Sequence, residues 1–165
     1  GIMMCYNYSK KYKLNYQSLM PPNLYGPGDN YDLKTSHFFP ALLKKIFLAK
    51  VQRKKSINIW GTGKPRRELM FVEDFAEALI YFINKKIREP FVNIGNGKDF
   101  SIEWYAKYIM KRLNVKLKIV YDKNRSDGMP KKRLDISLAK KYGWKPINDL
   151  DKGFDITLRD FVKNR

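Results

Sequence analysis

An imidazole, a pair of guanidiniums, an indole and a carboxylate are the side chains in this sequence best placed for chemistry, because each sits at or beside a turn. His37 is the single histidine, and it follows the stretch Pro21-Pro22-Asn23-Leu24-Tyr25-Gly26-Pro27-Gly28-Asp29-Asn30 and then Ser36. An unperturbed imidazole titrates near about 6.5, so a histidine beside a ligand-type loop can act as general acid or base at neutral pH. The competing reading is a surface or packing histidine. Arg66-Arg67 follow the turn Gly63-Lys64-Pro65, where a guanidinium fork could grip a diphosphate through two parallel bonds, or simply stand as a solvated charge pair at a strand start. Trp60 could stack on a purine or fill a core. Asp127-Gly128 is a turn signal whose carboxylate could bind sugar hydroxyls or a base edge, or do no more than make the turn.

Several chemistries lack their residues. The sequence contains no G-x-G-x-x-G or P-loop signature, and Gly61-Thr62-Gly63 is too short to count as one. No metal-ligand spacing appears, nor a Ser/His/Asp or Cys/His set. RRM, helix-turn-helix and zinc-finger patterns are also missing, so no specific nucleic-acid binding is expected.

The elements that must position these residues alternate between strand and helix. Gly1 to Lys13 reads as the tail of a helix without a start signal. Asn15 to Met20 reads as a strand that breaks into the Pro/Gly loop, whose prolines and glycines are expected to stop regular structure there. Helical spacing at Phe39, Leu42, Leu43, Ile46 and Phe47 predicts a helix over Phe38 to Val51. Strands are expected at Ile57–Trp60 and Glu68–Val72. A helix from Glu73 to about Asn84 should bury Phe75, Leu79, Phe82 and Ile83. Phe91–Ile94 reads as a strand, and Ser101 as the cap of a helix striped by Ile102, Ala106, Ile109, Met110 and Leu113. Lys118–Tyr121 follows as a strand, Asp122–Arg133 as a charged loop, and Ser137–Tyr142 as a short helix ended by Gly143. A final helix uses Leu150, Phe154, Leu158 and Phe161. The fold class is therefore α/β, with ligands at the carboxyl ends of strands.

The chain has 165 residues, and its 44% apolar content suffices for a packed core. Thirty-four Lys and Arg against 16 Asp and Glu leave +18, which calls for an anionic partner or reflects lysine scattered over solvated faces. A lone Cys5, no apolar run near about 18 residues and no signal peptide point to a soluble, cytoplasmic chain with no membrane association.

Longer patterns carry a resemblance. Asn23-Leu24-Tyr25-Gly26-Pro27, Arg66-Arg67-Glu68 with Val72 and Asp74, Val92-Asn93-Ile94-Gly95-x-Gly97, and Asp135 through Gly143-Trp144-x-Pro146 resemble the extended short-chain dehydrogenases. Ser36-His37-Phe38-x-Pro40-Ala41-Leu42-Leu43, Trp60-Gly61-x-Gly63-x-Pro65-x-Arg67-Glu68 and Asp127-Gly128-x-Pro130-x-Lys132 make the sequence most similar to the GDP-L-fucose synthase family. The resemblance implies 3,5-epimerisation of GDP-4-keto-6-deoxy-D-mannose, then NADPH-dependent 4-keto reduction to GDP-L-fucose. It implies that Pro21, Pro22, Asn23 and Leu24 line the nicotinamide side of NADP(H). His37 would be the general acid at sugar carbon and would also lie near the cofactor. Lys45, where that family usually has arginine, would bind the GDP-sugar with Trp60, Arg67 and Asp127. No metal is implied, and a homodimer is.

The resemblance also implies departures. The family's Tyr-x-x-x-Lys pair ends just before Gly1, and its Gly-rich fingerprint, assisting Ser and basic Cys lie further upstream; Cys5 is not that base. The expectation is thus a carboxyl-terminal half: the end of a Rossmann sheet in residues 1–30 and a smaller GDP-sugar domain in 31–165. Its amino-terminal Rossmann half would be missing, and it would be inactive alone. The alternatives are another nucleotide-sugar epimerase or dehydratase of the superfamily, or a non-catalytic basic domain that binds RNA or a protein.

Overall fold

Glu68, Leu69, Met70 and Phe71 stand in an unbroken buried run, the pattern of a strand covered on both faces. They belong to β4 (Arg66–Phe71) in a computed structural model that describes residues 1–164. Two compact units form, each from separate stretches of chain: the first from residues 1–27, 68–98 and 133–165, the second from 28–67 and 99–132.

The first unit contains α1 (Ile2–Tyr12), β1 (Leu19–Met20), β2 (Asn23–Tyr25), the later part of β4, α3 (Val72–Ile83), β5 (Val92–Asn93), α5 (Ser137–Lys141) and α6 (Leu150–Lys163). β1 pairs in parallel with β5, Leu19 opposite Val92, and β2 in parallel with β4, Asn23 opposite Leu69. Met70, Ala78, Phe82, Val92, Ile94, Ala139 and Trp144 form the core between them. Glu68, on β4, is fully buried. Its Oε1 accepts from Gly97 N at 2.7 Å and its Oε2 from Leu134 N at 2.8 Å. A Cβ on Gly95 would come within 2.4 Å of Oε1, so the neighbouring loop must carry glycine there. Buried Asp74 does the same for the approach to α6, accepting from Ile147 N and from both nitrogens of Asn148.

The second unit contains α2 (Phe38–Val51), β3 (Ser56–Trp60), the first residues of β4, β6 (Asp99–Ser101), α4 (Ile102–Arg112), β7 (Lys118–Asp122) and β8 (Lys131–Lys132). β3 and β7 run parallel from Ser56 opposite Lys118 to Trp60 opposite Asp122. α2 packs on α4, where Leu43, Ile46 and Ile109 are fully buried and Tyr105 stands edge-on to Phe39 at 5.9 Å. Ser101 caps α4 by accepting from Trp104 N at 3.0 Å.

Several expectations need correcting. Helices alternate with pairs of strands from Ile2 to Lys132 and two helices follow, so the Rossmann-like α/β architecture runs through nearly the whole chain. It is not a carboxyl-terminal part that keeps only the end of a Rossmann sheet. A missing Gly-rich fingerprint removes a cofactor contact, but parallel pairing is set by apolar runs, which are present throughout. β2 forms inside the Pro/Gly loop, because Pro21 and Pro22 precede it and leave its own N–H groups free to pair. Only Leu19–Met20 of the expected 15–20 strand pairs, and Lys131–Lys132 form β8 against Arg66–Arg67 inside the expected loop. α3 buries Asp74, Ala78 and Phe82, a row spaced four apart, and leaves Leu79, Ile80 and Ile83 exposed. No helix among the described residues is long and apolar enough to cross a membrane.

Glu68→Ala should lower stability by about 3 kcal/mol, since two buried N–H groups lose a charged acceptor. A lower urea midpoint with an unchanged slope is the expected result.

Candidate functional site

β3 alternates in burial, Ile57 and Ile59 inward and Asn58 and Trp60 outward. That parity, and not apolar character, decides the tryptophan's place: Trp60 is 54% exposed, where a core position is the commoner fate of an indole. Its ring forms one side of a cavity of about 240 Å³ in the second unit. The cavity is also lined by Ser36 just before α2, by Phe38 and Lys45 from its first residue and its middle, by Arg67 from β4, and by Ser126 and Asp127 from the segment after β7. Lys45, Trp60, Arg67 and Asp127 therefore meet in one place, although 82 residues of sequence separate the first from the last.

Each is held differently. Strand alternation splits the arginine pair. Arg66 turns to the buried Asp99, whose carboxylate accepts from its Nε, while Arg67 faces the cavity. Arg67 Nη1 donates to the Met129 and Arg66 carbonyls at 2.7 and 2.8 Å, and Tyr105 Oη donates to the Arg67 carbonyl at 3.0 Å. One nitrogen fixes the fork and the others remain available to an anion. Lys45 Nζ reaches the Asn58 carbonyl at 3.4 Å and lies 5.2 Å from the Trp60 ring centre. Its partial burial pushes the amine's pKa down.

Asp127 is clasped. Thr62 donates its N–H to Oδ1 at 2.6 Å and its hydroxyl to Oδ2 at 2.7 Å. These bonds, the hydroxyl first, hold the carboxyl below its ordinary range, with Lys64 adding to them. Gly61 makes the clasp possible: at φ +68° it occupies the left-handed region, and a Cβ there would sit 2.1 Å from Asp127 Oδ1. Thr62 was not among the sequence-derived candidates, and a lone threonine between glycines offers no signal for this role.

The remaining candidates lie elsewhere. His37 is exposed at the N-cap of α2, between two cavity-lining neighbours without lining the cavity itself. Burial raises the Asp29 carboxyl against the bond it accepts from the Asn30 N–H. Pro21, Pro22, Asn23 and Leu24 are half-buried in the first unit, at and just beyond the end of β1. Arg125, which no sequence pattern marks, places its guanidinium carbon 5.1 Å from the Trp60 ring centre.

Thr62→Val should raise the Asp127 carboxyl toward its ordinary value, readable by carbon NMR titration. A depressed pKa means that the clasp is fully made above the ordinary carboxylate value and opens as pH falls through the folded value. An unchanged titration would mean that the hydroxyl is not what holds the charge.

The NAD dependent epimerase/dehydratase family model matches residues 1–95. GDP-L-fucose synthase of Sinorhizobium fredii is 37% identical over 99% of this chain and 52% of its own length. GDP-L-colitose synthase of Yersinia pseudotuberculosis is 38% identical over 93% of the chain and 50% of its own length. MlghC, a GDP-mannoheptose C4 reductase from Campylobacter jejuni with NADP bound, has a TM-score of 0.83 at 28% identity, covering 98% of this chain and 54% of that one. The chain spans about half the length of the curated relatives it matches. The family pattern nonetheless starts at the first residue, which overturns the reading of a carboxyl-terminal half with a missing amino-terminal Rossmann half. By the extent of that match, the chain belongs to the NAD-dependent epimerase/dehydratase family.

Proposed function

We propose that this protein acts in the NADP(H)-dependent conversion of a GDP-linked 4-keto-6-deoxy sugar, with GDP-4-keto-6-deoxy-D-mannose going to GDP-L-fucose as the preferred reaction. The carrying observation is the convergence of Lys45, Trp60, Arg67 and Asp127 on one cavity. A half-exposed indole offers a stacking face for guanine, a pinned guanidinium fork and an amine suit a diphosphate, and a carboxylate borders the space. At about 240 Å³ the cavity falls short of the roughly 300–1,000 Å³ that encloses drug-sized ligands, so it suits the nucleotide portion better than the whole GDP-sugar. GDP-L-fucose and GDP-L-colitose synthases among the relatives, and a GDP-mannoheptose C4 reductase among the related structures, support a GDP-linked sugar as the substrate class.

NADP(H) fits the chemistry of Pro21, Pro22, Asn23 and Leu24. The segment follows the carboxyl end of β1, where α/β proteins bind ligands, and its two prolines present no N–H that a nicotinamide face would strand. When bound, the cofactor supplies the hydride for C4 reduction. His37 is the candidate proton donor to sugar carbon during epimerisation, and its exposure lets it recover a proton from solvent. Lys45 carries charge without a fork, so Arg67 should supply most of the geometric grip on the diphosphate.

Trp60→Ala should weaken GDP binding by about tenfold or more, from the loss of one stacked base. With GDP-4-keto-6-deoxymannose and NADPH, His37→Ala should slow solvent deuterium incorporation at C3 and C5 far more than hydride transfer. Equal loss of both would assign His37 a structural role. GDP binding untouched by Trp60→Ala would remove the nucleotide from this cavity.

A further inference from the structure

Two cations share one indole. Lys45 Nζ lies 5.2 Å and the Arg125 guanidinium carbon 5.1 Å from the Trp60 ring centre. Like charges gathered this way repel, and each cation–π contact at an exposed site returns only about 0.5–1 kcal/mol. No carboxylate forms an ion pair with them. Among the described residues neither Lys45, Arg67 nor Arg125 has an ion-pair partner, and the one carboxylate that lines the cavity, Asp127, has both oxygens engaged by Thr62. Arg125 itself stands on the turn between Asp122 and Asp127, where its N–H donates to the Asp122 carbonyl at 3.2 Å. The Asp127 clasp therefore anchors a short turn that carries an exposed, otherwise uncommitted guanidinium to the Trp60 side of the cavity.

We propose that Arg125 is a further ligand-binding residue of this cavity, receiving the diphosphate of the nucleotide together with Lys45 and Arg67. The single carboxylate of Asp127 leaves these three cations in excess, a diphosphate supplies the balancing charge, and the planar fork of Arg125 can leave the indole for a phosphate while the base takes its place on Trp60. The identity of the nucleotide rests on the function proposed above; the anion-binding role of Arg125 does not, and inorganic pyrophosphate tests it alone.

The test is calorimetric titration of the chain and of its Arg125→Gln and Arg125→Lys variants with pyrophosphate, GDP and guanosine. Arg125 is exposed, and circular dichroism checks that the variants keep the fold. The expected result is a tenfold or greater loss of pyrophosphate and GDP affinity in Arg125→Gln, partial recovery in Arg125→Lys, and unchanged guanosine binding. Pyrophosphate and GDP binding as tight in Arg125→Gln as in the parent would overturn the proposal. An equal loss for GDP and guanosine would also overturn it, by making Arg125 a stacking partner of the base. Pyrophosphate binding that depends on Arg125 without any GDP binding would uphold the anion role and defeat the nucleotide reading.

Discussion

A carboxylate cut off from water must find hydrogen-bond donors, and Glu68 is such a carboxylate in the middle of the chain. Its two oxygens draw in the backbone after β5 at Gly97 and the backbone before α5 at Leu134, so three distant stretches of the first unit depend on one side chain. The preceding residue is Arg67, whose carbonyl is held by Tyr105 in the second unit's core and whose guanidinium faces the cavity. β4 is thus pinned by buried bonds at two consecutive residues. Of these neighbours on one strand, Glu68 holds backbone of the first unit and Arg67 lines the cavity.

The cavity is organised by the same economy of partners. Thr62 donates to both oxygens of the one carboxylate that lines it, Asp99 takes Arg66 away from it, and none of Lys45, Arg67 and Arg125 is in an ion pair among the described residues. The overall +18 of the chain says little about a ligand, because scattered lysine produces the same figure. A local surplus beside an exposed indole is more informative, and the proposed nucleotide site rests on it. Membership of the NAD-dependent epimerase/dehydratase family gives that chemistry a context without supplying the geometry.

Much of this was legible in the sequence where local physics dominates. α2 runs from Phe38 to Val51 as its apolar spacing indicates, and Ser101 caps α4 through its hydroxyl. Legibility failed where a partner elsewhere in the chain decides. β2 and β8 are strands because β4 lies alongside them, and neither proline nor lysine content reveals that neighbour. The buried row of α3 includes Asp74 because Asn148 and Ile147 supply donors from far down the chain. In the site, the indole and the Arg67 fork could be proposed from type and turn context. The Thr62 clasp and the Arg125 contact depend on a fold-back of more than sixty residues that no local pattern encodes.

The most direct measurement is a crystal structure of the chain grown with GDP. Density for the guanine against Trp60, with the diphosphate within hydrogen-bond distance of Arg67, is the expected result. GDP bound away from the cavity, or bound there with its phosphates turned from Arg67, would contradict a nucleotide-sugar site built on these residues.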